Sequence, residues 1–152
     1  MRLKKIFISV VVIISLAVVS LTSNDEMPEA TFKVHGKKIQ YTTADYSWGK
    51  FFYKKTDITF EPYILGKNIE GVEGFPGIYI DLHFSDKPNR VEVIEHTSQE
   101  SSYVYEQFGN DVDGYHFQVD TKYGERIFEI KAYWNFGQFI SYIIKVKINK
   151  YF

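Results

Sequence analysis

Hydrophobic and polar residues alternate with a period of two along most of the chain beyond residue 24. This spacing is typical of strands that bury one face, and helical spacing is nearly absent. Turn-forming residues separate the alternating runs, as at 86–89 and 135–137. The pattern predicts about eight or nine short strands. The clearest rows of alternate residues are Phe32 and Val34; Ile78, Ile80, Leu82 and Phe84; Val91 and Val93; Tyr115, Phe117 and Val119; Phe128, Ile130, Ala132 and Trp134; and Tyr142, Ile144, Val146 and Ile148.

Short strands at this spacing, most with one polar face, predict an all-β, antiparallel β-sandwich. No long helical pattern lies between the strands, which disfavours a parallel sheet built from βαβ units. A closed barrel would show the same alternation and stays open as the alternative. The one break is the glycine-rich stretch from Gly66 to Gly77, which we expect to be either a binding loop or a crossover between sheets.

The first 23 residues have a different pattern. Arg2, Lys4 and Lys5 precede an uncharged run from Ile6 to Leu21, which is the arrangement of a secretory signal. As a helix this run would span about 24 Å, short of a hydrocarbon core of about 30 Å, which favours cleavage. No A-x-A cleavage site is present, so an uncleaved anchor is the alternative. We therefore divide the chain into 1–23, a signal peptide or membrane anchor, and 24–152, an exported β-sandwich domain.

Charge and cysteine content exclude several kinds of partner and site. The N-terminal segment holds three of the 18 cations and none of the 19 acids, so residues 24–152 carry 15 cations, 19 acids and a net charge of −4. A mildly acidic body is not attracted to nucleic acid or to anionic lipid, so membrane contact is expected only through the N-terminal segment. The chain has no cysteine, so it lacks disulfides, thiol nucleophiles and cysteine-ligated metals.

The four histidines are isolated, and none shows the spacing of a metal-ligand pair. His83 lies beside Asp81 on the outward row of its strand. His116 lies likewise near Asp120, and a cluster of the two imidazoles and a carboxylate could form only if the two strands pair. We expect solvated histidines, no metal and no cofactor.

No catalytic motif is present either. The stretch 110–114 resembles part of an EF-hand loop, but Gly109 stands at its first ligand position and Asp120 where the bidentate glutamate belongs. We expect a hairpin turn there, with positive φ supplied by Asp113-Gly114. A pair of carboxylates for glycoside chemistry could come together only in the fold. The acids considered for it are Glu95, Glu100 and Glu106.

Aromatic residues are the binding candidates, because tyrosine and tryptophan rings on a sheet grip sugar or peptide surfaces at low entropic cost. Aromatics make up 18% of the chain, and packing in a cysteine-free domain also gives them a structural role. For Trp134, which ends an inward row, a core position is expected. The candidates for ligand binding are Trp48, Tyr46, Tyr79, Tyr115 and Tyr133.

The segment 124–148 carries a family resemblance. Its sequence Gly-Glu-Arg-Ile-Phe-Glu-Ile-Lys-Ala-Tyr-Trp-Asn-Phe-Gly, followed by a tyrosine-containing last strand, resembles the C-terminal hairpin of small bacterial exported proteins with an immunoglobulin-like sandwich. Tyr46-Ser47-Trp48 and the turn at Pro88 fit the same pattern. The resemblance implies a bacterial, extracytoplasmic, immunoglobulin-like domain and names no catalytic residue. Many such proteins have a lipidated cysteine after the signal, which this chain lacks.

Together these features predict an exported, non-enzymatic β-sandwich protein that is secreted or anchored to the cell membrane. Its expected role is to bind a protein or cell-envelope component at the cell surface, through sheet aromatics or the Gly66–Gly77 stretch. A carbohydrate-binding accessory domain that uses Trp48 and neighbouring tyrosines is the alternative. A hydrolase whose carboxylates meet only in the fold is the third and least favoured possibility.

Overall fold

The computed structural model describes residues 26–50, 53–58 and 61–150. The predicted signal segment 1–23 lies outside these residues. The elements are β1 (Ala30–Val34), β2 (Lys37–Lys38), β3 (Tyr41–Lys50), β4 (Tyr53–Ile58), α1 (Pro62–Asn68), β5 (Val72–Gly74), β6 (Tyr79–Phe84), β7 (Arg90–His96), β8 (Ser102–Phe108), β9 (Tyr115–Gln118), β10 (Gly124–Tyr133), a 3₁₀ turn (Asn135–Gly137) and β11 (Phe139–Ile148).

The strands form two largely antiparallel sheets that pack face to face, which is a β-sandwich-like fold. The small sheet has the order β2-β1-β6-β9. The large sheet has the order β4-β3-β11-β10-β7-β8, and the short β5 runs parallel to the end of β11. The all-β sandwich predicted from the alternation is therefore confirmed at the level of two packed sheets. No helix in the described part of the chain is long and apolar enough to span a membrane.

The core lies between the sheets and contains the predicted rows. Phe32, Phe117 and Phe128 are fully buried and come from β1, β9 and β10, so rings from both sheets interlock at the centre. Phe117 and Phe128 meet edge to face, with centroids 5.2 Å apart. The longest pairing joins β10 to β11, from Gly124 opposite Ile148 to Tyr133 opposite Phe139. Burial of this apolar area is the main stabilisation of a chain without disulfides.

The expectation of a solvated outer face is wrong for the centre of the large sheet. Glu129 and Lys145, which the alternation placed outward, are each only 6% exposed. Part of the reason is α1, which packs across this face and buries Ile127 and Ile143 beneath it. Polar residues on these two strands therefore need internal partners, because an unpaired buried charge is costly.

The Gly66–Gly77 stretch is not an open loop. It contains the end of α1 and all of β5, which pairs with β11 at Val146–Ile148. A Cβ atom on Gly66 would lie 2.3 Å from Ile127 Cγ2, so glycine is needed there for close approach of helix and sheet. A seven-residue helix and a three-residue strand are too short to show a period, which explains why the pattern did not reveal them.

In the described part of the chain, two turns place a residue other than glycine in left-handed backbone geometry. His35 and Gly36 have φ of 46° and 75° and join β1 to β2 as a two-residue hairpin loop. Phe136, in the turn between β10 and β11, has φ of 58° although it is neither glycine nor asparagine. The sequence predicts a hairpin turn with positive φ at Asp113-Gly114, and both parts are wrong. The flanking strands β8 and β9 belong to different sheets, and neither residue has a positive φ.

Candidate binding edge and its buried ion pairs

At one end of the sandwich, the buried guanidinium of Arg126 links the two sheets. Arg126, near the start of β10, is 5% exposed and lies between two carboxylates. Its Nε and Nη2 atoms donate to the carboxylate of Glu95 on β7, the Nη2 bond being 2.5 Å long. Its Nη1 atom donates to Asp120, just after β9, at 2.6 Å. Arg126 therefore ties the large sheet to the segment that leaves the small sheet.

Tyr103 and Tyr105 of β8 complete this group. The Tyr103 hydroxyl donates to Glu95. The Tyr105 hydroxyl donates to the carbonyl of Gln118 at 3.0 Å and accepts from the amide of Asp120 at 2.7 Å. We call these side chains the Arg126 cluster: Glu95, Tyr103, Tyr105, Asp120 and Arg126.

The pKa values of the cluster follow from burial and from these bonds. Burial pushes the pKa of Glu95 upward, but hydrogen bonds from Arg126 and Tyr103 outweigh it and hold that pKa below its ordinary value. The pKa of Asp120 is lowered in the same way, with burial opposed by hydrogen bonds from Arg126 and from the Lys122 backbone. Burial, with the bond to Glu95, raises the pKa of Tyr103 to about 12. At neutral pH the cluster is therefore an arginine held by two charged carboxylates.

A β-bulge in β8 positions Tyr105. Val93 of β7 faces Glu106 and Ile94 faces Val104, so Tyr105 is the extra residue. Such a bulge re-aims a side chain and increases local twist. Here it turns the Tyr105 ring into the gap between the sheets, where it meets Phe117 at 6.0 Å and Phe128 at 5.3 Å. Strand β8 is thereby fixed to the small sheet as well as to β7.

The outer edge of β8 is open. In the described part of the chain β8 pairs only with β7, so the backbone groups on its other side have no strand partner there. Val104 is 57% exposed and Tyr103 41% exposed, both large hydrophobic side chains at this edge. We call this feature, formed by Ser102–Phe108, the β8 edge.

The other described edges have features that discourage strand addition. Strand β2 consists of two lysines, and β9 has only four residues. Strand β4 contains the adjacent residues Lys54 and Lys55. By contrast β8 has seven residues, with Glu106 as its single charge and with no lysine, arginine or proline. Proteins usually protect edges by short length, charge, proline or bulges, so β8, with one bulge and one charge over seven residues, is the least protected of these edges.

A second buried polar group lies on the outer face of the large sheet. Glu129 accepts hydrogen bonds from Ser141, at 2.5 Å, and from His96 Nε2, at 2.8 Å. Burial raises the pKa of Glu129, but the bonds from His96 and Ser141 outweigh this effect and lower it overall. Because the glutamate lies between the serine and the histidine, the hydroxyl has a carboxylate as partner and not an imidazole base. The order required for a serine nucleophile is therefore absent from this group.

The three acids considered for glycoside chemistry do not converge. Glu95 is bound by Arg126, whereas Glu106 is exposed on β8 and Glu100 is exposed in the turn before it. Asp120 is the acid that shares a partner with Glu95. Both carboxylates bind Arg126, and the Arg126 guanidinium lies between them. This arrangement holds an ion pair and leaves no room for a substrate between the carboxylates.

The five aromatic candidates lie apart. Trp48 and Tyr115 are 6% and 7% exposed and belong to the core. Trp48 meets Trp134 edge to face at 5.2 Å, and the Tyr115 hydroxyl donates to the carbonyl of Pro88. Tyr46 is half-buried against the same core. These rings serve packing between the sheets.

Tyr133 and Tyr79 lie on outer faces of different sheets. Tyr133 donates to Glu92 at 2.8 Å, and the Arg90 guanidinium lies 4.1 Å from the ring centroid. Tyr79, on the small sheet, is 52% exposed and meets the His116 ring at 5.9 Å. The candidates therefore do not form one continuous strip.

The histidine hypothesis depended on strand pairing, and the strands do pair. Asp81 of β6 lies opposite His116 of β9, with His83 two residues along β6. Even so, the described residues contain no group of three or more histidine, aspartate or glutamate side chains that could hold a metal ion. In the 110–114 turn the carbonyl of Val112 accepts from Lys87 Nζ at 2.8 Å, so a cationic side chain already approaches this backbone.

Comparisons with protein-family models, curated proteins and solved structures gave no match. The candidate site therefore depends on geometry alone. The sequence singled out three of its acids, Glu95, Glu106 and Asp120, each for a different role, and none of its other residues as a site. The available signal was the uncharged run Tyr-Val-Tyr before Glu106, in an otherwise charge-rich region.

Proposed function

We propose that this chain is an exported, non-enzymatic binding protein that joins a partner at the bacterial cell surface by strand addition to the β8 edge. Export is supported by the basic and then apolar pattern of residues 1–23. The bacterial assignment is supported by the resemblance of segment 124–148. We also propose that the sandwich is immunoglobulin-like, which is supported by two packed, largely antiparallel sheets.

The observation that carries the proposal is the open backbone edge of β8. A strand laid beside it would gain main-chain hydrogen bonds and contact with Val104, which is 57% exposed. This recognition mode uses backbone bonds for affinity and neighbouring side chains for specificity. The edge is also ordered in advance, because Tyr103 and Tyr105 are hydrogen-bonded to Glu95, Gln118 and Asp120.

The non-enzymatic part of the proposal is supported by the two buried polar groups. In each of them the carboxylate is already satisfied: Glu95 by Arg126 and Tyr103, and Glu129 by His96 and Ser141. A sugar-binding surface would need several exposed rings together. Of the five aromatic candidates, Tyr79 is the one exposed by more than a third.

A site-specific photo-crosslinker tests the binding edge. Placed at Ser102 in the full chain and activated on intact cells, it should give a covalent adduct. The matched position is Tyr79, which is exposed on the other sheet and should give none. Adding Val104→Lys to the Ser102 probe should remove the adduct, because a lysine on an edge opposes strand addition. Equal crosslinking from both positions, or none from Ser102, would contradict the proposal.

Export is tested separately on the same cells. The domain should be digested by protease added outside intact cells or be found in the medium, and sequencing its N-terminus identifies cleavage. A full-length chain that stays protected in the cytoplasm would contradict export without deciding what the β8 edge binds.

A further inference from the structure

We propose that the end of the sandwich that carries Phe136 lies against a lipid surface, with the Phe136 ring inserted among the lipids beside an uncleaved N-terminal anchor. The contact goes beyond the β8 edge, and it rests on the proposed function only for the export of residues 24–152. The membrane is the occupant because the chain enters the sandwich from residues 1–23 at this same end.

Hydrogen bonds connect the start of the described chain to the turn that holds Phe136. Just before β1, the Glu29 amide donates to Ser85 Oγ at 2.9 Å, and the Ser85 amide donates to the Glu29 carbonyl at 2.9 Å. The carbonyl of the next residue, Asp86, accepts from Trp134 Nε1 at 3.2 Å. Phe136 follows Trp134 by two residues, so the chain enters the sandwich at the Phe136 end.

The link between the apolar run and this end is short. The run ends at Leu21, and the described chain begins at Glu26. Five residues of chain span at most about 18 Å. The opposite end of the sandwich lies roughly 30 Å away along the ten residues of β10. An anchor formed by the apolar run therefore holds the Phe136 end beside the bilayer and keeps the Arg126 cluster away from it.

Phe136 has the side chain that such a surface would take up. At 74% it is the most exposed large hydrophobic residue in the described part of the chain, and its φ of 58° is a strained conformation for a residue with a Cβ atom. Strained backbone persists most often at functional sites. Met27, which is 46% exposed, lies three residues before β1 at the same end. Two exposed apolar side chains thus lie where the chain enters the sandwich.

Aromatic rings and cations line the outer face of the large sheet next to this turn. Tyr133 and Phe139 lie three residues before and three residues after Phe136. The Arg90 guanidinium lies 4.1 Å from the Tyr133 ring centroid, and Lys131 Nζ lies 4.8 Å from the Phe139 ring centroid. Amphipathic rings, and cations on apolar stems, are the side chains that suit the boundary between lipid and water.

The contact depends on insertion of an apolar ring and not on charge. Residues 24–152 carry a net charge of −4, and Glu92 lies 3.7 Å from the Arg90 guanidinium. Such a surface is not drawn to anionic headgroups. We therefore expect the ring to insert into zwitterionic lipid, without any need for acidic lipid.

Tryptophan emission in vesicles with brominated acyl chains tests the contact, because bromine quenches a tryptophan at short range. In the full chain reconstituted in phosphatidylcholine vesicles, Phe136→Trp should lose emission when the lipid is brominated. Tyr123→Trp is the matched control, since Tyr123 is 57% exposed just before β10 at the opposite end, and its emission should not change. The wild type, in which Trp48 and Trp134 are buried, gives the background to subtract.

Flotation with the vesicles shows whether each variant is anchored, and thermal unfolding verifies that it is folded. A full chain that does not float with vesicles overturns the contact. Equal quenching at positions 136 and 123, or none at 136, overturns the orientation. Quenching at position 136 that requires added phosphatidylglycerol overturns insertion into neutral lipid.

These outcomes are separate from those of the proposed function. The β8 edge is tested by the crosslinker at Ser102, and export is tested by protease on intact cells. Quenching at position 136 alone supports the membrane contact whether or not the Ser102 probe finds a partner.

Discussion

Arg126 is the residue on which the closed end of the sandwich depends most. Its side chain is 5% exposed, and it bonds to carboxylates that are 31 and 6 residues away in the chain. A buried guanidinium with two charged partners is satisfied, whereas Glu95, which is 4% exposed, would be a buried charge without a cation if Arg126 were absent. In the sequence Arg126 is one polar residue near the start of a strand, and only the pairing of β10 with β7 explains its burial.

Replacing Arg126 with methionine should therefore destabilise the protein by about 3–5 kcal/mol, because Glu95 would stay buried without its partner. Urea unfolding measures the change. Lys67→Met is the control, since Lys67 pairs with Glu125 on the surface, and no measurable loss is expected there. In the double variant with Glu95→Leu, stability should partly return. Equal losses of unfolding free energy from Arg126→Met and Lys67→Met would show that the buried ion pair stabilises the protein no more than the exposed pair does.

Phe136 illustrates strain at a single residue. It has φ of 58° and is 74% exposed, so a large aromatic ring occupies a conformation that glycine adopts without cost. The left-handed conformation costs a residue with a Cβ atom roughly 1–2 kcal/mol. The strain belongs to the backbone of the turn and not to the ring itself.

Phe136→Gly should consequently raise the free energy of unfolding by about 1 kcal/mol, after allowance for the greater freedom of glycine in the unfolded chain. Phe136→Ala separates the two effects, because it removes the ring and keeps the Cβ atom. Alanine should give no such gain in urea unfolding. A gain of the same size from both substitutions would assign the effect to the exposed ring.

At the scale of elements, α1 depends on a close approach that one glycine permits. The helix has seven residues and a proline at its start, too short to be stable alone. Its stability comes from packing on Ile127 and Ile143. The local sequence shows the proline but not the sheet that stabilises the helix, so the sequence predicts a binding loop or a crossover from Gly66 onward and no helix.

Gly66→Ala should destabilise the protein by about 1–3 kcal/mol, because the added Cβ would overlap the Ile127 side chain. Gly114→Ala is the matched control. Its Cβ would meet nothing within 4 Å and its φ is not positive, so we expect little change or a small gain. Thermal unfolding of both variants measures the difference. Losses of equal size at both positions would exclude close packing of α1 as the reason.

The whole molecule depends on pH through its buried ion pairs. The pKa values of Glu95, Asp120 and Glu129 are all below their ordinary values, although burial opposes the shift in each case. A carboxyl group with a lowered pKa in the folded state stabilises that state fully above the ordinary pKa. This stabilisation is lost as the pH falls through the lowered value.

Stability should therefore be constant near neutral pH and decrease as the pH falls below about 4, the ordinary range of carboxyl groups. At the alkaline end, Tyr103 and Tyr133 have pKa values raised to about 12. Stability should decrease again as the pH rises from 10 toward that value. Urea unfolding at a series of pH values measures both arms. Glu129→Gln should flatten the acid arm, and an unchanged acid arm in that variant would contradict the role given to Glu129.

The sequence by itself determined most of the β-strand content and the inward rows, because alternation with a period of two is a local property of each strand. It left a sandwich and a barrel open, and the pairing of the strands into two sheets decided for the sandwich. It also contained the N-terminal export pattern, which stays a prediction. Only the tertiary structure decided which strand became an open edge and which charges were buried. Those features depend on pairings such as β7 with β10, between residues far apart in the chain.

Two of the aromatic candidates follow the alternation directly. Tyr115 stands in a row with Phe117 and Val119 and is buried in the core, whereas Tyr79 stands between Ile78 and Ile80 and is exposed on the outer face. Their strands pair directly, and their positions on alternate faces follow from register. The sequence predicted that aromatic packing would stabilise a cysteine-free domain. The arrangement of two sheets then decided that β8 would keep an unpaired edge, which is why the proposed binding site lies there.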